Sequence, residues 1–525
     1  MGSHTILEIL NTNKLSDTLI ISSNNNIEVL REEVIKLGYA IDSEIFLFDK
    51  HKPYVIIKFI KGEKLIFAAL HSRHGARAPL NCDENTIDYL GEKWTNPGEL
   101  TSTGQRMEYI LGLRNRQRYI TGKYQFLSAK FEILVYSTNV NRTMLSITSQ
   151  LQGLYPMYNQ SGNILTEEQL KKSNPPVDIS SYEEIKKEIE NLNNSALPNY
   201  MSVIPIHIIH TSERRMNVQD SNGCSDKVNK TRDNNKILKE SIISAANNFN
   251  KKYSKYLHNY YDKNPENFTY DFDWIGLFCD TLVSDYSDGR TMDDFFKRTT
   301  IDKDGLLNDC WDIIKTNFRD DFFGDDKNEV ILLGESTLIK EILHYMKLRI
   351  DEDIKSENEE INVSDYSKPK MIIYSGHDST LTGEEMFMIK FFGLKVEDYI
   401  YPTYTTQLSF EVTRDEKRPE KLEYSNYKVT FYFNDQVLVT KNFDEFKKII
   451  EDNAMTPAQI NEYCDGKIEE KSNSGAIYAV ICLACLSFIF LVIIIILVLK
   501  LKNIKDNKEE SDEHKTIGLM DNDEN

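Results

Sequence analysis

Short apolar runs, each followed by a polar island, recur along the chain. They lie at 64–70 (KLIFAAL), 132–137 (EILVYS), 203–209 (VIPIHII), 369–375 (PKMIIYS), 407–413 (QLSFEVT) and 427–433 (YKVTFYF). Six or seven residues rich in Ile, Val, Leu, Phe and Tyr predict strands, and the first four runs suit strands covered on both faces. Between the first two, TSTGQRMEYILGLRNRQRYI (101–120) carries apolar residues at helical spacing behind a Ser/Thr-rich start. From about 160 to 330 the strand pattern thins, and TEEQLKKS, SYEEIKKEIENL, NNKILKESIISAANNFNKKYSKYLHNYY and TMDDFFKR read as helices. The pattern predicts an α/β fold: a mixed sheet flanked by helices over 63–440, interrupted by a smaller, mostly helical cap over about 160–330. Residues 1–62 form an extension with no assigned role, in which IEVLREEVIKLGYA reads as helix and SEIFLFDK and PYVIIKF as strands. Residues 441–474 are polar and short of large apolar side chains, as in a stalk. No internal repeat is evident.

One apolar run breaks this scale. Residues 475–499, GAIYAVICLACLSFIFLVIIIILVL, contain no charge and exceed the roughly 20 residues that a membrane-spanning helix needs. Lys500, Lys502 and Lys505 follow, which favours a cytoplasmic tail over 500–525, although Lys467 and Lys471 flank the other side. The start, MGSHTILEIL, has neither a basic n-region nor a long apolar h-region. Two topologies are therefore compatible with the sequence: a lumenal or extracellular body whose start lies upstream, or insertion by the tail with the body in the cytosol. Sequons at Asn159, Asn193, Asn229, Asn267 and Asn362 fit the first. Of seven cysteines, Cys482 and Cys485 lie inside the apolar run; Cys82, Cys224, Cys279, Cys310 and Cys464 can form two disulfides of unspecified connectivity, with one thiol left over.

The formal net charge of −19 argues against a sequence-independent grip on nucleic acid. It does not exclude a local basic pocket, and the polar islands supply one. RHGARAP (73–79), STNVNRTMLS (137–146) and SGHDSTLTG (375–383) each follow a predicted strand. If the strands are parallel neighbours, their C-terminal ends share one edge, where open α/β folds place ligands. Arg73, His74, Arg77, Arg142, His377 and Asp378 then converge, with Gly75 permitting a tight turn. Cations packed this closely repel one another unless an anion sits among them. Guanidinium forks match phosphate oxygens, a neutral imidazole can attack phosphorus, and a protonated carboxyl can protonate the leaving oxygen. No metal-ligand spacing accompanies the set, so neither a metal nor another cofactor is expected.

The three islands resemble the histidine acid phosphatases, the branch of the histidine phosphatase superfamily with an RHGxRxP loop and a distal HD pair, and most of all the animal lysosomal and prostatic types. RHGARAP matches every fixed position of the loop, YSTNVNRTMLS carries the third arginine, and SGHDSTLTG the HD pair. The resemblance covers about residues 64–435. It implies His74 as a nucleophile that forms a phosphohistidine, Arg73, Arg77, Arg142 and His377 as phosphate ligands, and Asp378 as proton donor. It also implies a large α/β domain under a helical one, phosphate monoester substrates and, with the apolar run, a single-pass membrane protein of the lysosome or cell surface. A homodimer is left open. Phytase-like and lysophosphatidate-preferring activities are the alternatives within the family, and a catalytically idle surface-binding protein is the alternative outside it. The aromatic stretch YSKYLHNYYDKNPENFTYDFDW is expected in the cap core, a share of it in the leaving-group pocket being the lesser alternative. His207 and His210 are expected to pack rather than bind metal.

Overall fold

The computed structural model describes residues 18–22, 39–49, 52–61, 63–81, 87–121, 124–127, 132–155, 164–173, 175–176, 183–198, 203–210, 224–261, 269–324, 327–359, 368–415 and 421–465. The apolar run at 475–499, the tail at 500–525, the end of the expected stalk, most of the helix expected at 27–40, and Cys82 lie outside them. Among the described residues no helix is long and apolar enough to cross a membrane.

Three N-terminal strands, β1 (Thr18–Ser22), β2 (Tyr39–Asp49) and β3 (Lys52–Lys61), form an antiparallel sheet in the order β1-β3-β2. The main sheet has seven: β4 (Glu63–Arg73), β5 (Ile133–Thr138), β6 (His207–Ile209), β7 (Met371–Gly376), β8 (Gln407–Asp415), β9 (Tyr427–Phe433) and β10 (Gln436–Asn442). Their order is β10-β9-β8-β4-β7-β5-β6. The strands from β4 through β7 and β5 to β6 run parallel, while β8, β9 and β10 join antiparallel. This is a mixed α/β fold, and its central strands are buried on both faces, every residue of β7 and all of β4 from Leu65 onward.

Two expectations change in detail. Of the run 203–209 only His207–Ile209 pairs with the sheet; Pro205 lacks the N–H that an earlier start would need. Of the stalk expected over 441–474, the described residues 441–465 hold the end of a strand and helices over Phe443–Asn453 and Pro457–Asp465. Gln436–Asn442 hairpins onto β9 as an exposed edge strand, through a two-residue turn in which Asn434 takes a φ of 52°. A helix over Phe443–Asn453 then buries Phe443, Phe446 and Ile450, a spacing of three and four residues that low overall apolarity hides.

Helices α1 (Ser102–Arg116) and α2 (Asn141–Leu154) pack beside the sheet. Ile147 and Leu151 of α2 sit against Leu70, Val135 and Ile373 of three adjacent strands. The helical excursion between β6 and β7 includes α3 (Lys236–Tyr261), α4 (Phe272–Ser287), α5 (Asp293–Thr299) and α6 (Lys303–Phe323). These enclose a second core of Phe249, Tyr253, Leu257, Phe278, Leu282, Phe295 and Leu306. A disulfide between Cys279 and Cys310 ties α4 to α6. The chain returns to the sheet through α7 (Glu329–Glu359), and α8 (Asp378–Phe392) follows β7 directly.

Candidate active site

The order β4-β7-β5 places the three polar islands side by side. Arg73 pairs with Gly376 at the end of β7, and Ser375 pairs with Ser137 of β5. The chain then leaves β4 into RHGARAP, β7 into α8 and β5 into α2. All six candidate residues, Arg73, His74, Arg77, Arg142, His377 and Asp378, line one cavity of about 260 Å³.

His74 is buried, and its backbone is held at both ends: its N–H donates to the Gly376 carbonyl at 3.1 Å, and its carbonyl accepts from Thr405 at 3.2 Å. Nδ1 lies 2.9 Å from the carbonyl oxygen of Gly75. That oxygen can only accept, so Nδ1 carries the proton and Nε2 keeps its lone pair. Burial, then Arg73, His377, Arg77 and Arg142, push the imidazole pKa well below its ordinary value, so the ring stays neutral in acid solution. Gly75 is needed for space rather than for a turn. It does not adopt a left-handed φ, but a Cβ there would stand 2.4 Å from the carbonyl oxygen of Gly104 in the first turn of α1. Its N–H donates to Ser146 of α2 at 3.0 Å.

The arginines are held from different sides. Arg73 donates to the Pro402 carbonyl at 2.9 Å and to Asp378 Oδ2 at 2.7 Å, with its guanidinium 4.4 Å from the Tyr404 ring centre. Arg77 forks onto Asp280 of α4 at 2.6 and 3.2 Å. Arg142 reaches His377 Nδ1 at 3.3 Å. Because guanidinium only donates, that nitrogen accepts, and His377 Nε2 donates to Thr138 Oγ1 at 3.0 Å. Burial and Arg142 bring His377 down to about 3, so it too is neutral. The Nε–H groups of Arg73, Arg77 and Arg142 are all buried without a protein partner. Buried donors so placed are costly unless an acceptor comes to them.

Asp378 opens α8 and takes three contacts: Arg73, the Tyr401 hydroxyl at 2.9 Å and the N–H of Ser379 at 2.9 Å. Burial raises its pKa, but Arg73 and the Tyr401 hydrogen bond outweigh burial and leave it below the ordinary value. The carboxyl is therefore ionised in the ligand-free protein, not protonated as an acid donor must be.

Asp280, Tyr401, Tyr404, Thr138 and Ser146 were not singled out by sequence pattern. Thr138 and Ser146 lie inside the island STNVNRTMLS. Tyr401 and Tyr404 had a readable signal, since β8 runs antiparallel and its approach loop must end at the same sheet edge. Asp280 had none, because its place depends on how the helical excursion folds back. Part of the aromatic stretch does reach the cavity, through Phe272. Among the described residues no group of three or more His, Cys, Asp or Glu side chains could hold a metal ion; His207 lies against Tyr136.

A buried neutral imidazole lies among three guanidiniums at the C-terminal edge of parallel strands, a charge and donor set that matches a phosphate-sized anion. The family model of the histidine phosphatase superfamily (branch 2) matches residues 64–434, and the chain belongs to that family. A methyltransferase-domain model matches residues 1–57 alone. Lysosomal acid phosphatase of Rattus norvegicus is 37% identical over 101 residues, 18% of this chain and 23% of that protein. Prostatic acid phosphatase of Bos taurus is 24% identical over 356 residues, 66% and 73% of the two chains. The chain thus spans under a quarter of the length of the lysosomal relative. A Hafnia alvei phytase in complex with myo-inositol hexakis sulphate aligns over 76% of this chain and 99% of its own, with a TM-score of 0.47 and 12% identity.

Proposed function

We propose that this protein is an acid phosphatase that hydrolyses phosphate monoesters through a phosphohistidine. One observation carries the reading: His74, neutral and with Nδ1–H committed to Gly75, keeps its Nε2 lone pair in a cavity shared with three guanidiniums. Nε2 attacks phosphorus while the bond to the leaving oxygen breaks. Arg73, Arg77 and Arg142, aided by His377, neutralise the equatorial oxygens. Asp378 gives its proton to the leaving alkoxide. As carboxylate it then takes a proton from water, whose oxygen attacks the phosphohistidine and releases phosphate with His74 restored.

Asp378 acquires its proton when substrate binds. A phosphate draws Arg73 away from the carboxylate and adds negative charge beside it, and both changes raise the carboxyl pKa. A monoester arriving below about pH 6 as its monoanion also brings a proton into the site. Activity is accordingly expected to peak below neutrality. The disulfide between Cys279 and Cys310 supports an oxidising compartment. We assign the catalytic domain to the lumenal or outer face of a membrane, anchored by residues 475–499.

The test is hydrolysis of p-nitrophenyl phosphate and an alkyl phosphate between pH 3 and 8. His74→Ala is expected to lose about 10⁴-fold or more in kcat and to take up no label from radioactive phosphate ester. Asp378→Asn is expected to lose about 10²–10⁴-fold on the alkyl ester and far less on nitrophenolate, which needs no proton. Equal losses on both esters would remove Asp378 from the acid role. A folded wild type that neither turns over nor labels would leave a binding protein.

A further inference from the structure

The phosphate chemistry uses one wall of the cavity. The opposite wall comes from Phe272, Gly276 and Val283 of α4 and from Trp311, Ile314 and Phe318 of α6. Steps of three, four and seven residues put each trio on one helix face, and the Cys279–Cys310 disulfide ties the two helices together. Trp311 and Phe318 approach the Tyr401 ring at 5.8 and 5.3 Å between centroids. Tyr401 in turn bonds Asp378. An apolar surface is therefore continuous with the group that handles the leaving oxygen. Gly276 leaves it open, since a Cβ built there meets nothing within 4 Å.

Charge on this wall points the same way. Among the described residues it contributes no lysine or arginine to the cavity, and its one charged side chain is Asp280, already bonded to Arg77. A second phosphate on the substrate would meet a carboxylate, the neutral amide of Asn317 and apolar carbon rather than a cation.

We infer, resting on the phosphatase reading above, that the site selects monoesters carrying one phosphate on an apolar leaving group, with Gly276, Trp311 and Phe318 as specificity-determining residues. An aromatic ring and an acyl chain share this chemistry.

The full-length protein is assayed in detergent at pH 5 with 1-naphthyl phosphate, a monoacylglycerol phosphate, β-glycerol phosphate and myo-inositol hexakisphosphate. At least one apolar ester is expected to exceed both polar ones by about tenfold or more in kcat/KM, the scale that an apolar pocket commonly confers. An advantage for the acyl ester over glycerol phosphate, whose leaving alkoxide is similarly basic, identifies a lipid headgroup and upholds the inference; one for the naphthyl ester, whose naphtholate leaves more readily, identifies a phosphorylated ring and upholds it where Gly276→Leu removes that advantage. Gly276→Leu, which fills the open space with a good helix former, is expected to cut the ratio of the preferred apolar ester to glycerol phosphate about tenfold. Trp311→Ala, which removes wall rather than adding bulk, is expected to lower the same ratio. Comparable rates on all four esters, a preference for the hexakisphosphate, or ratios unmoved by both variants would overturn it. In each of those cases His74-dependent turnover would still uphold the phosphatase. Turnover of none, with no label on His74, would overturn both.

Discussion

Two buried ionic clusters in this chain are built on opposite principles. Around Glu411 of β8, Arg118 donates through Nε and Nη2 at 2.6 and 2.8 Å, and the hydroxyls of Tyr119 and Tyr124 donate at 2.7 and 2.9 Å. One charge of each sign is present and both carboxylate oxygens are bonded. Burial raises the carboxyl pKa, but Arg118 outweighs it and keeps Glu411 ionised. At the cavity, three guanidiniums and two neutral imidazoles share two carboxylates, and three Nε–H donors lack partners. The first cluster is complete in itself. The second leaves those donors open, and on the reading proposed above an anion with several acceptor oxygens would take them. Burial and charge alone would not tell the two apart; satisfaction of the hydrogen bonds does.

The comparison breaks most sharply by removing one member of each cluster. Arg142→Met is expected to lower kcat/KM about 10³-fold by taking away charge stabilisation of the transferring group. Its Tm should hold or rise, because like charges are relieved: burial and Arg77 already press its guanidinium pKa down. Glu411→Ala should do the reverse, costing about 3–5 kcal/mol of stability by stranding Arg118, while kcat/KM of the folded fraction stays close to wild type. Urea unfolding and steady-state kinetics on both variants decide it. Similar losses of stability in the two would make the cavity arginines structural.

A second test concerns the link between the cap helices. The Cys279–Cys310 disulfide closes a separation of 31 residues, for which chain entropy gives roughly 3–4 kcal/mol. The double Cys→Ser variant is expected to show that loss in its urea midpoint. An unchanged midpoint would mean that packing around Phe278 and Leu306 alone holds α4 to α6.

The smallest effect is on pH dependence. Burial pushes Glu108 and Glu385 each up to about 8, and burial with Asp88 nearby raises Asp285. A folded-state pKa above the unfolded one gives stability that is full below about pH 4 and is lost as pH rises toward the folded value. His74 and His377 act oppositely: their depressed values give stability above about 6.5 that is lost as pH falls. Burial also raises Glu335 and Asp321, so between pH 8 and 6.5 only the carboxyls act, and from 6.5 to 5 the five raised carboxyls outweigh two imidazoles. Tm is therefore expected to rise from pH 8 to pH 5, by about 2–4 °C for each kcal/mol gained. A flat or falling profile from scanning calorimetry would show that the raised carboxyls are not protonated in the fold.

The sequence by itself determined the strands of the sheet core and the six candidate residues that meet at its edge. Unbroken apolar runs have few alternatives to doubly covered strands, and RHGARAP, NRT and HD put chemistry directly after them. It did not yield the edge strand β10 or the helix over Phe443–Asn453, whose apolar positions are sparse and half hidden. Tertiary structure alone decided what surrounds those candidates. Asp280, Trp311 and Phe318 arrive from helices some 200 residues or more along the chain from His74, and no local pattern records which face of a cap helix will meet the sheet edge. The ionised state of Asp378 belongs to the same class of facts. A carboxyl's charge depends on the neighbours within a few ångströms, and Arg73 and Tyr401 become neighbours only when β4, α8 and the loop into β8 come together.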